Sequence, residues 1–134
     1  MRSLGGGPCA YNPEPYAPFF DAVLVGEGEE AVPEVLEVIR ALRERGESRA
    51  NILRALADVP GTYVPSLYRW CDEEEAQERG SWIDPIAEGV PTHIEKRIFT
   101  GFSQSDAWEP TIVPYTEVVH DRLNVEVLRG CARG

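Results

Sequence analysis

An almost unbroken apolar run, Phe19-Phe20-Asp21-Ala22-Val23-Leu24-Val25, stops at Gly26-Glu27-Gly28-Glu29-Glu30, and a helical pattern begins there. A run this short suits a strand buried on both faces, as in a parallel sheet. Over residues 29–45, Val32, Leu36, Ile39 and Leu42 recur at helical spacing, with Val35 and Val38 widening the stripe. Glu29 and Glu30 sit at the positive end of this helix, Pro33 is tolerated in its first turn, and Gly46 stops it after Arg40, Arg43 and Arg45. Strand, glycine turn and amphipathic helix in that order predict an α/β arrangement.

The segments on either side are less regular. Residues 1–20 hold Pro8, Pro13, Pro15 and Pro18 together with Gly5, Gly6 and Gly7, which predicts an ordered loop. Ser48 can cap a shorter helix through Asp58, with Ile52, Leu53 and Leu56 inward, ended by Val59-Pro60-Gly61. Residues 63–68 read as extended, 71–80 as an acidic solvated helix or loop, and 93–99 as a strand alternating Ile94 and Ile98 with Glu95, Lys96 and Arg97. Two more extended pieces are expected at 111–115 and 123–128. A buried parallel strand at 22–25 needs neighbours on both sides, and no strand is expected before Gly5, so unpaired edges and self-association are anticipated.

Charge and composition exclude several function classes. The 13 basic and 23 acidic residues give a formal charge of -10, which repels phosphate backbones and anionic lipid heads; no direct nucleic-acid or membrane partner is expected. No apolar run approaches the roughly 20 residues of a membrane-spanning helix. Cys9, Cys71 and Cys131 share no short ligand spacing, and their scatter fits a reducing, cytoplasmic compartment better than a disulfide scaffold. His93 and His120 lack local ligand partners and read as structural or solvated.

Three stretches could carry chemistry. In Leu4-Gly5-Gly6-Gly7-Pro8 the absence of Cβ atoms would let backbone approach a flat or phosphorylated ligand, or the stretch is simply a flexible start. Gly26-Glu27-Gly28 lies where a strand ends and a helix begins, the position at which open α/β sheets take ligands. It is neither a dinucleotide fingerprint nor a phosphate loop, and a plain tight turn explains it equally well. The third, Asn124-Val125-Glu126-Val127-Leu128-Arg129-Gly130-Cys131, runs a strand into a glycine-flanked cysteine whose thiolate Arg129 and Arg133 would stabilise. One cysteine cannot hold a cluster, and in isolation the thiol reads as inert.

In this order the stretches resemble bacterial radical S-adenosylmethionine (radical SAM) proteins with an N-terminal cobalamin-binding-type domain. Residues 6–15 resemble that family's loop after a strand of the cobalamin-type domain, and 20–30 its next strand and turn. Residues 114–131, from Pro114-Tyr115-Thr116-Glu117 to Arg129-Gly130-Cys131, are similar to the leading segment of its catalytic barrel. The resemblance implies a partial doubly wound, Rossmann-like domain at 1–47, a helical and extended linker at 48–113, and the first strand of a (β/α) barrel at 114–134. It implies Gly6, Gly7, Gly26, Glu27 and Gly28 as ligand-side positions and Cys131 as the first of three cysteines holding a [4Fe-4S] cluster. That cluster binds S-adenosylmethionine and cleaves it to a deoxyadenosyl radical. Soft thiolates suit iron–sulfur chemistry, and an iron without a protein ligand is open to the cofactor.

The second cysteine would fall just past Gly134, so the chain reads as an inactive piece of such an enzyme, with small-molecule cofactors as its parent's partners. Cobalamin is allowed in the parent. Without a DxHxxG motif to supply a lower histidine ligand, and with one cysteine of three, neither cobalamin nor the cluster with its S-adenosylmethionine is expected to stay on this chain. The alternative is a small acidic α/β interaction module without cofactor, offering 29–45 and 71–80 as partner surfaces. Completion of the cluster by a second chain ranks last.

Overall fold

The structure, a computed structural model, describes residues 3–71, 82–101, 114–117, 119, 126, 129 and 130. The chain forms two compact units, Met1–Phe99 and Thr100–Gly134. In the first, β1 (Leu4–Gly5) pairs in parallel with β2 (Ala22–Leu24), and β2 pairs antiparallel with β3 (Thr62–Tyr63). The anticipated unpaired edges are therefore corrected. The tripeptide Ala22–Leu24 is the central strand, because the short Leu4–Gly5 segment, too small to register as a strand in the sequence, supplies one neighbour and Thr62–Tyr63 the other.

Between β1 and β2 the chain makes two 3-10 helices, Pro8–Tyr11 and Glu14–Phe19, each with proline in its first turn. Proline preorganises φ there and its missing N–H is not needed, so the proline density that reads as loop builds these turns instead. The fold is a small mixed α/β one. Its parallel β1–β2 pair is followed by α1 (Gly28–Glu44) and α2 (Arg49–Leu56) before β3. One crossover helix would return the chain to the start of a parallel strand; two helices in succession deliver it to the opposite end, and β3 runs antiparallel.

The α1 pattern needs rotating. Ala31, Val35 and Ile39 are buried, with Val38 and Leu42 packed beside them, whereas Val32 is 36% and Leu36 56% exposed. The buried face runs through Ala31, Val35 and Ile39, rotated away from Val32 and Leu36. The helix also starts before Glu29, so Pro33 lies beyond the first turn and cannot return an N–H to the Glu29 carbonyl. The Ser48 cap is as expected: its hydroxyl oxygen accepts from the Asn51 N–H at 3.1 Å.

Ala22, Val35, Ile39, Ile52, Leu53, Leu56, Ala57, Val59 and Val64 form one buried cluster between helices and sheet. The expected boundary after residue 47 falls inside this unit, between two helices that share that core. On the other face Ala10, Val23 and Tyr63 are buried against Tyr16, Phe20, Tyr68 and Ile94. Residues 63–68 are not one extended piece: a 3-10 turn at Pro65–Leu67 leads into the hairpin of β4 (Tyr68–Cys71) and β5 (Trp82–Pro85). The expected strand at 93–99 reduces to a single parallel bridge between Arg97 and Gly26. The acidic 72–80 stretch, His120 and most of 111–128 lie outside the described residues. No helix among the described residues is long and apolar enough to cross a membrane.

Candidate functional site

Two of the sequence-selected stretches come to the same end of the sheet. Because β1 and β2 are parallel, with Leu4 opposite Ala22 and Gly5 opposite Val23, Gly6-Gly7 and Gly26-Glu27-Gly28 both leave carboxyl ends of adjacent strands. This is the ligand-side geometry of an open α/β sheet. The two loops differ in what meets them. Gly6 and Gly7 are exposed, and a Cβ on Gly7 would meet nothing within 4 Å.

Gly26 is covered. Its φ of 113° is one that side chains disfavour, and a Cβ there would fall 2.2 Å from the Arg97 carbonyl oxygen. The Arg97 N–H donates to the Val25 carbonyl at 2.9 Å, and the Glu27 N–H donates to the Arg97 carbonyl at 3.0 Å. Glu27 accepts the Phe99 N–H on its carboxylate. The Arg97 guanidinium donates to Glu34 at 2.6 Å and Glu30 at 3.2 Å on the first turns of α1, and the two carboxylates hold its pKa above the ordinary arginine value. The acidic start of α1 thus has a cationic partner from within the chain.

On the aromatic face a cleft of about 450 Å³ lies between the second 3-10 helix and the β4–β5 hairpin, lined by Phe19, Phe20, Tyr63, Tyr68 and Trp70 with Arg49 among its charged groups. Tyr63 and Tyr68 pack ring against ring at a 45° tilt with centroids 4.9 Å apart, and the Tyr63 hydroxyl donates to Glu14 at 2.5 Å. Burial, then the bond to Glu14, pushes the Tyr63 pKa well above its ordinary value. The protonated phenol is a donor at neutral pH, and Tyr63 uses it to anchor Glu14. Arg49 forms an ion pair with Asp21, which leaves the charges around the cleft balanced.

Residues 3–65 match the family model of radical SAM proteins, N-terminal. No curated protein and no solved structure matches the chain. The radical SAM match takes in β1, β2, α1, α2 and β3 and every member of the helix-side cluster, and it supports a radical SAM family for this segment. It ends before the β4–β5 hairpin and before Cys131.

A radical SAM parent implies a [4Fe-4S] cluster and S-adenosylmethionine, and the described residues do not fit that cluster. Cys9 is exposed on the first 3-10 helix, while Cys71 is buried on β4 with its thiol 3.6 Å from an Asp84 carboxylate oxygen. No group of three or more His, Cys, Asp or Glu side chains among the described residues could hold a metal, and His93 is exposed. Cys131 lies outside the described residues. Its neighbour Arg129 makes a two-pronged ion pair with Glu126, at 2.7 and 2.9 Å, so that guanidinium is engaged by a carboxylate. Sequence reasoning missed Arg97, Phe99 and Gly61 as parts of this end of the sheet; the alternation at 93–99 marked extended backbone but not its partner.

Proposed function

We propose that this chain is the N-terminal accessory unit of a radical SAM iron–sulfur enzyme, not catalytic by itself, with Cys131 as the first cluster ligand of the complete protein. The observation that carries the reading is that the family match, 3–65, takes in the whole helix-side buried cluster, from Ala22 to Val64. In the complete protein a [4Fe-4S] cluster would supply the electron that cleaves S-adenosylmethionine to a deoxyadenosyl radical. This chain's described residues contribute a folded support. Of the five ligand-side positions that the resemblance implies, the exposed Gly6 and Gly7 would form the cofactor-facing loop of a cobalamin-type domain.

Anaerobic incubation with iron and sulfide tests this. The expected result is no stable [4Fe-4S] absorbance from the 134-residue chain, and a cluster in the protein made from the full reading frame that Cys131→Ala removes. A cluster on the chain alone, or one in the longer protein that survives Cys131→Ala, would overturn the proposal.

Leu36, 56% exposed on α1, favours a second reading as an acidic protein-interaction module. Under that reading Leu36→Glu would abolish association with a partner protein while the fold is retained, and no form of the protein would assemble a cluster.

A further inference from the structure

We infer that residues 94–99 are a built-in strap occupying the carboxyl end of β2, and that the turn 26–28 is shaped to receive this strap and not a cofactor. This goes beyond the radical SAM reading and does not depend on it, since it concerns what fills one end of the sheet.

Several independent contacts converge. Arg97 uses both its N–H and its carbonyl on Val25 and Glu27, just past β2, the pattern of a strand added in parallel at Gly26. Gly26 has no room for a Cβ because the Arg97 backbone is there, and a Cβ on Gly61, whose φ is 82°, would lie 2.9 Å from the Arg97 Cβ. The two glycines are thus accounted for by the chain's own backbone. Phe99 reaches the Glu27 carboxylate, Arg97 bridges to Glu30 and Glu34, and the Lys96 ammonium sits 5.4 Å from the centre of the Tyr11 ring. The approach to the strap is tied as well: Tyr68 donates to the Pro91 carbonyl at 2.8 Å and Arg54 to the Gly89 carbonyl at 2.9 Å.

A corrinoid, or any other flat cofactor, reaching Gly26 would have to displace two backbone hydrogen bonds, a backbone-to-carboxylate bond and two ion pairs to one guanidinium. The residues here do not fit cobalamin at this turn. Glu27 is committed to the strap, and only the Gly6-Gly7 loop of this end is exposed.

Amide hydrogen exchange on the 134-residue chain, read residue by residue, tests the inference. The Glu27, Arg97 and Phe99 amides should exchange at least roughly 10-fold slower than in an unstructured chain. Arg97→Ala should remove most of that protection while the Val25 amide, bonded to the Gly61 carbonyl at 2.7 Å, keeps its own. Hydroxocobalamin should move neither the Gly26 nor the Gly28 resonance. Unprotected Arg97 and Phe99 amides in the unsubstituted protein would overturn the inference, as would hydroxocobalamin binding at Gly26–Gly28, whether or not the strap stays in place.

Discussion

On the helix side of the sheet, Ala22 and Val64 share an aliphatic cluster with residues of α1, α2 and the turn after them, whereas on the far side Val23 and Tyr63 meet rings, hydroxyls and a carboxylate. The strands switch face at every residue, so Ala22 and Val23, or Tyr63 and Val64, serve opposite sides. The helix side builds the larger buried cluster because regular helices present continuous apolar stripes. The far side is closed by 3-10 turns, a hairpin and the 94–99 strap, short elements that leave the aromatic cleft between them.

Leu56→Ala tests the contrast most severely. Leu56 is fully buried in the aliphatic cluster, and its truncation should cost about 3 kcal/mol in denaturant unfolding; a loss under ~1 kcal/mol would mean the helix side is loosely packed.

Tyr63→Phe probes the far side, where removing a hydrogen bond to a carboxylate should cost about 1.5 kcal/mol. This substitution also has a pH signature. The Tyr63 pKa is raised in the folded state, so its contribution is fully present below the unfolded value near 10 and falls as pH rises from there. Stability of the unsubstituted protein should therefore decline above pH ~10 more steeply than that of Tyr63→Phe. Equal slopes would place Tyr63 in a wetter setting.

Ser48→Ala should cost about 1 kcal/mol by leaving the Asn51 N–H without its side-chain acceptor, read as a fall in denaturation midpoint. The smallest effect has the opposite sign. Thr62 on β3 is buried with a hydroxyl that has no hydrogen-bond partner among the described residues, so Thr62→Val, nearly equal in shape, should leave stability unchanged or raise it by up to ~1 kcal/mol. A clear loss would reveal a partner for that hydroxyl.

The helix side was the legible one. Period-3.6 spacing identified α1 and α2, and the serine cap identified where α2 starts, because these signals are local. The face of α1 was misread at Val32 and Leu36, since a wide apolar stripe does not say which part is buried, and a small residue such as Ala31, which is buried, adds little to the pattern. The flanking strands, two residues each, were too short to show periodicity, and their pairing is set by contacts distant in sequence. At the candidate site the glycines were found, but what covers Gly26 was not. Nothing near residue 26 in the sequence points to residue 97, whose guanidinium meets Glu30 and Glu34 only after the chain has folded.

The radical SAM reading is tested most directly by 5′-deoxyadenosine formation. The protein encoded by the full reading frame, reconstituted anaerobically with iron and sulfide and supplied with S-adenosylmethionine and a reductant, should release 5′-deoxyadenosine, and Cys131→Ala should abolish that release. Release unchanged by the substitution, or none from a protein that carries its full cluster, would contradict the account.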